Sequence, residues 1–150
     1  MGLLSDIGFG PVAIDTAPFI YFIEEHEVYF SVVAPLFEAV SAGRLNAVTS
    51  SLTLLETLVV PLRTGAHALA ERYDRLLTRS RGIDLIDIDL NLIRGAASVR
   101  AATGLKVPDA LQIATALRGR CTALLSNDRA WPQVPGLRML QLRDYLPARR

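Results

Sequence analysis

Short apolar runs that end on a polar or acidic residue alternate along this chain with stretches of helix length. That alternation leaves few architectures open. Strand, helix and strand in succession need crossover connections, and crossovers build a parallel sheet. The expected strands are Val12–Asp15, Asn46–Thr49, Ile83–Ile88, Thr122–Ser126 and Arg138–Gln141. The expected helices are Pro18–Glu24, Val28–Ala42, Ser51–Leu62, Ala66–Arg81, Leu90–Thr103 and Pro108–Arg118. No linker, repeat or low-complexity tract divides the 150 residues, which make one domain, 1–150, long enough to bury a core.

Local signals support these elements. Leu69, Tyr73, Leu76 and Leu77 fall at helical spacing, with Arg72, Arg75 and Arg79 on other faces. Gly43, Gly82, Gly104 and Gly119 each follow a helical run, where a left-handed stop costs glycine little. Pro108 opens a helix where its missing N–H is not needed, and Pro61 is expected to end or kink its helix near Val60. The segment from Ile83 to Asp89 mixes alternation with charge, which suits an edge strand.

Four acidic residues stand out against this frame. Asp15 closes the first strand, Glu56 lies about one and a half turns into the helix after the second, Asp109 is in the first turn of another helix, and Asp128 follows the fourth strand. An open sheet of this kind places its site outside the carboxyl ends of the strands, so all four can reach one crevice. Like charges gathered there raise each other's pKa, and a hard divalent cation with oxygen ligands, Mg²⁺ or Mn²⁺, relieves them. A metal-dependent phosphodiester enzyme is the reading that follows.

Each acid also has a structural role open to it. Asp15 can cap the helix at Pro18, T53-L-L-E56 reads as a capping box, Asp109 suits a helix dipole, and Asp128 suits a turn. Glu56 tips the balance, because on the expected helix it lies past the first turn, inside an apolar run. The rival acids Asp84, Asp87 and Asp89 read as the solvated face of an edge strand. His26 and His67 have no second His or Cys at ligand spacing, which argues against zinc. No GxSxG, Walker-type or GxGxxG glycine pattern occurs, so nucleophilic-serine, NTPase and dinucleotide chemistry lack their parts. Phe19 and Trp131 can stack on bases, but core packing is the use favoured for both.

Composition adds little beyond exclusions. The chain is 51% hydrophobic with mean hydropathy +0.30, yet its most apolar stretches are short and broken by Pro or Glu, so no membrane span is expected. The first twenty residues carry Asp6 and Asp15 but no Lys or Arg, unlike a secretory signal. The single cysteine, Cys121, rules out an intrachain disulfide and suits a reducing cytoplasm; it reads as a small residue beside a strand. Net charge is +1, but setting the four candidate ligands aside leaves 16 basic against 11 acidic residues. All the basic residues except Lys106 are arginine, the better bidentate phosphate partner, although a GC-rich genome gives the same bias.

The motifs together resemble a known family. V12-A-I-D-T-A-P-F-I-Y-F-I23, T49-S-S-L-T-L-L-E-T-L-V-V-P-L-R63, L105-K-V-P-D-A-L-Q-I-A-T-A-L117 and A123-L-L-S-N-D-R-A-W131 are similar to the blocks of PIN-domain ribonucleases, particularly VapC-type toxins of toxin–antitoxin pairs. The third block is the most specific, and the resemblance spans about residues 12 to 142. It implies a Rossmann-like three-layer α/β fold, with a mostly parallel central sheet of about five strands flanked by helices. It also implies Mg²⁺-dependent cleavage of RNA, a homodimer, and a small antitoxin that blocks the site. Asp15, Glu56, Asp109 and Asp128 match the family's acidic metal-site positions, and Thr16 and Ser126 match accessory hydroxyl positions. Arg63, Arg72, Arg75, Arg79 and Arg129 are candidates for guiding the RNA backbone, though solvated helix faces account for them equally well. The stretch before the first strand is about ten residues longer than the family's, and Ala17-Pro18 replaces a small polar residue. A non-cleaving PIN-like module that binds RNA or protein is the alternative; a phosphatase of another α/β family is a third reading.

Overall fold

The computed structural model describes residues 2–127 and 130–148. The described elements run in the order α1 (Leu3–Ile7), β1 (Val12–Ile14), α2 (Thr16–Ile23), α3 (Phe30–Ser41), β2 (Ala47–Ser50), α4 (Ser51–Thr64), α5 (His67–Arg79), β3 (Ile83–Ile86), α6 (Leu90–Thr103), α7 (Val107–Arg118), β4 (Ala123–Ser126) and β5 (Arg138–Gln141). A 3₁₀ turn, Leu142–Tyr145, follows. The five strands form one sheet in the order β3-β2-β1-β4-β5, and every pairing is parallel. This is the expected three-layer α/β fold.

Burial explains why the central strands are mostly apolar, with their buried polar residues Thr49, Ser50 and Ser126 at the carboxyl ends, and the outer ones are not. Every residue of β1, β2 and β4 is buried, as strands covered by helices on both faces require. Alternate residues serve opposite layers. Val12, Ile14, Ala47 and Leu125 join one core cluster with Leu3, Phe19 and Leu77 from the helices of one layer. Ala13, Val48 and Leu124 face the other way onto Ile113 and Ala116 of α7. The outer strands β3 and β5 carry exposed residues, so the edge position expected for the Ile83 segment is observed.

The topology fixes where a site can form. From β1 the chain moves outward through β2 to β3, then returns to lay β4 on the other side of β1. The order reverses between β1 and β4, and the carboxyl ends of these two strands open the crevice that such sheets use for ligands. Asp15 directly follows β1, and Ser126 is the last residue of β4.

Several local expectations are corrected. Asp15 is not a strand residue: it is the N-cap of α2, which starts at Thr16 rather than Pro18. The third helix begins at Phe30 rather than Val28, because His26 Nδ1 accepts from the N–H groups of Val28 (3.1 Å) and Tyr29 (3.2 Å) and folds that stretch into a turn. Pro61 does not end α4. The helix runs on to Thr64 and stops at Gly65, whose φ of 75° permits the left-handed turn. A proline removes only its own bond, to the carbonyl four residues back, and in the last turn Thr64 Oγ1 adds a bond to the Val60 carbonyl at 3.0 Å. Gly119 is not left-handed either (φ −73°); Arg120 takes that conformation at φ 54°. The glycine is required for closeness instead, since a Cβ there would meet the Val48 side chain at 3.0 Å.

The amino-terminal stretch, expected to hold no element, contains α1. Leu3 and Ile7 are buried, Tyr145 donates to Asp6 at 2.7 Å, and Arg138 donates to the Ile7 carbonyl at 3.0 Å. Five residues are too few for periodicity to reveal, and these contacts come from the far end of the chain. Cys121 lies beside β4 as expected, and burial, helped by Asp84, pushes its thiol up to about 12.

The strand β3 stops at Ile86, so Asp87 and Asp89 lie beyond it and do not form a strand face. Asp84 is exposed and accepts from Asn46 Nδ2 at 2.9 Å. Asp89 caps α6, accepting from Leu92 N–H at 2.8 Å, and takes both guanidinium nitrogens of Arg118 at 2.8 and 2.9 Å. Arg118 and then that N–H hold its carboxyl down from 3.8 to about 2. A folded-state value below the unfolded one means stability that is complete above the ordinary carboxylate range and fades as pH falls through about 2. Arg118→Gln should therefore move the Asp89 titration midpoint up towards 3.8, followed through its carboxyl carbon by NMR. An unmoved midpoint would contradict this account.

Candidate active site

Asp15 is set by the sheet before its side chain is considered. Its backbone N–H bonds the Leu125 carbonyl at 2.9 Å, extending the β1–β4 ladder one residue past β1. Its carboxylate then accepts from Thr16 N–H at 2.8 Å and starts α2. The residue is only 5% exposed, so this is a buried acid at the reversal point of the sheet.

Thr16 and Glu56 bring two strands' worth of chain together. The Thr16 hydroxyl donates to Glu56 Oε1 at 2.8 Å, across 40 residues of sequence. Ser50, not Thr53, caps α4, accepting from Leu52 N–H at 3.1 Å. The expected capping box is therefore absent, and Glu56 is left for the interior of the crevice. Three polar side chains passed over in the sequence support this corner. Thr49 Oγ1 reaches the Ile14 carbonyl at 2.7 Å, Thr53 Oγ1 lies 2.9 Å from Thr49 Oγ1, and Gln112 Nε2 donates to Thr53 Oγ1 at 3.1 Å. The signal was available: Thr49, Thr53 and Glu56 recur at near-helical spacing, and Gln112 interrupts an apolar helix.

Asp109 is half-buried in the first turn of α7, where the helix dipole favours its charge. Gln112, one turn further along the same helix, ties that end of α7 to α4. Ser126 is fully buried, and its Oγ accepts from Trp131 Nε1 at 2.6 Å. Trp131 packs in the second core cluster and Phe19 in the first, the core roles expected of both. Asn127 is also buried and donates to the Tyr21 hydroxyl at 3.2 Å. Asp128 and Arg129 lie outside the described residues.

The structure thus joins Asp15, Thr16 and Glu56 through adjacent positions and one hydrogen bond. Among the described residues, no three His, Cys, Asp or Glu side chains form a metal-holding group. The donors at this corner are carboxylate and hydroxyl oxygens, which fits a hard divalent cation and not zinc.

The arginine candidates divide. Arg72 donates to the Ile23 carbonyl at 3.3 Å, at the far end of α2 from Thr16, and so ties α5 to α2. Arg75 and Arg79 share an exposed surface of α5 with Glu71 and Asp74, the mixed charge of a solvated face. Arg63 is exposed in the last turn of α4. No helix among the described residues is long and apolar enough to cross a membrane.

Comparison with known proteins agrees with this fold. Residues 12–137 match the PIN domain family. No curated protein matches the chain by sequence. Among solved structures, a toxin-antitoxin complex from Klebsiella pneumoniae is similar at 22% identity, covering 84% of this chain and 94% of that one, with a TM-score of 0.61. VapBC2 from Rickettsia felis, bound to a DNA fragment from its promoter, has 17% identity over 87% and 97% of the two chains and a TM-score of 0.67. VapC20 of Mycobacterium tuberculosis, described as a sarcin-ricin loop cleaving toxin, has 15% identity over 75% and 86% and a TM-score of 0.62.

Proposed function

Because the chain belongs to the PIN domain family, we propose that it is a VapC-type toxin, an endoribonuclease that hydrolyses RNA phosphodiester bonds. The observation that carries this reading is the Thr16–Glu56 hydrogen bond, which brings an acid from α4 to the residue beside buried Asp15. Asp15, Glu56, Asp109 and Asp128 would hold Mg²⁺, with Mn²⁺ as a substitute. When bound, the ion makes a water more acidic and offsets charge on the departing oxygen. The protein's own part is to fix the acids: Asp15 by the β1–β4 ladder, Glu56 by Thr16, Asp109 by the start of α7. Ser126 supports the crevice by holding Trp131. Water rather than a ribose hydroxyl is the nucleophile, so the products carry a 5′-phosphate and a 3′-hydroxyl.

A small antitoxin and a second copy of the chain are the protein partners in this reading, and a cytoplasmic location goes with it. Exposed apolar residues support protein contacts. Leu55, Val59 and Leu62 recur on one face of α4 and are 59, 39 and 55% exposed. Arg63, at the end of that helix, is the arginine best suited to meet RNA backbone, since Arg72 is occupied elsewhere.

The purified protein should cleave single-stranded RNA in Mg²⁺, stop in EDTA and resume when Mn²⁺ is added. Cleavage that continues in EDTA would overturn the metal-dependent mechanism. Absence of both cleavage and saturable Mn²⁺ binding would favour the non-cleaving module instead.

A further inference from the structure

Thr53 Oγ1 is the hub of a buried polar seam between β1, β2, α4 and α7. It lies 2.9 Å from Thr49 Oγ1, 3.2 Å from Thr16 Oγ1 and 3.1 Å from Gln112 Nε2. Hydrogen counting gives the seam a direction, because each hydroxyl has one hydrogen to give. The Ile14 carbonyl can only accept, so the Thr49 hydrogen goes there at 2.7 Å. Glu56 Oε1 accepts from Thr16, so the Thr16 hydrogen goes there at 2.8 Å. The Gln112 amide nitrogen can only donate, so Thr53 receives from it; Thr49 is oriented as donor towards Thr53, so the Thr53 hydrogen passes to Thr16.

Every hydroxyl hydrogen then has a destination, and the seam runs from α7 towards Glu56. Gln112 also fills one of the two acceptor positions on Thr53. Among the described residues, the side-chain neighbours of the Thr16 hydroxyl within bonding distance are Thr53 and Glu56, and because it receives the Thr53 hydrogen its own is directed at Glu56. Thr53 is fully buried and Gln112 is 2% exposed, so neither touches RNA. An amide placed between Leu111 and Ile113 on a buried helix face is costly unless bonded, and its bond serves this seam.

We propose that Gln112 and Thr53 are positioning residues that hold Glu56, through Thr16, in one orientation within the crevice. This rests on the nuclease reading above. Supporting side chains of this kind typically change metal affinity or activity by about 10–100-fold when removed.

The test uses the full chain with Gln112→Met, Thr53→Val and Thr53→Ser. Two readouts are compared: kcat and KM on a single-stranded RNA oligonucleotide, and Mn²⁺ affinity by EPR without RNA. Gln112→Met and Thr53→Val should lower kcat by about 10–100-fold and weaken Mn²⁺ binding by a similar factor, with KM little changed. Thr53→Ser keeps the hydroxyl and should recover most of both. A folded Thr53→Val protein with wild-type kcat and Mn²⁺ affinity overturns the proposal while leaving the nuclease reading intact. Should Thr53→Val fail to fold by circular dichroism, Gln112→Met decides by the same readouts. A wild-type protein that neither cleaves RNA nor binds Mn²⁺ overturns both readings together.

Discussion

Asp15→Asn should leave a folded protein whose RNA cleavage is lower by about a thousandfold, the scale seen when one preorganised electrostatic group is removed from a site. The substitution is chosen to change charge and little else. Asparagine caps helices as well as aspartate does, so the bond from Thr16 N–H that starts α2 is preserved. The backbone bond to Leu125 does not involve the side chain and is also kept. On the proposed gathering of acids, removing one charge relieves repulsion, so the variant should melt no lower than wild type in EDTA. In Mg²⁺ it should lack the rise in melting temperature that a ligand bound to the native state gives. Circular dichroism melts with and without metal, beside a cleavage assay, check both parts. Wild-type cleavage by the Asp15→Asn protein would remove Asp15 from the site.

Phe19→Ala should destabilise the fold by about 3–5 kcal/mol, the cost of emptying a large aromatic site in a packed core. Against a typical total of about 5–15 kcal/mol, that loss brings the protein close to unfolding. Phe19 is fully buried on α2, with its ring 5.3 Å from that of Phe37 on α3. It is the anchor of the helix whose first residue, Thr16, reaches Glu56. Phe9 provides the control. It is fully exposed, so Phe9→Ala should change stability by less than about 0.5 kcal/mol. Urea unfolding followed by circular dichroism measures both, and equal midpoints for the two variants would refute the packing account.

The two predictions draw on different kinds of information. Two of the candidate acids could be picked out locally: Asp15 sits where β1 meets α2, and Glu56 interrupts an apolar helix with no capping role for its charge. The sheet was legible for a related reason. Strands buried on both faces read as largely apolar runs, and Ala13, Val48 and Leu124 are as buried as their neighbours. Glycine was a weaker guide. Gly65 and Gly104 stop helices by a left-handed turn, which local chemistry explains, whereas Gly119 is small because Val48 approaches from another strand. Pro61 was a partial guide, since a proline removes one backbone bond and α4 runs on past it to Thr64.

The order of apolar runs and helix stretches determined, by itself, that this protein is a parallel α/β domain with acids near the strand ends. Periodicity and chain connectivity are local properties, and they are written residue by residue. Only the folded chain decided that Thr16 meets Glu56, that Gln112 meets Thr53, and that Asp89 is spent on a helix cap and Arg118. Those pairings span 40, 59 and 29 residues, and a contact of that length depends on how layers pack, which no window of sequence contains.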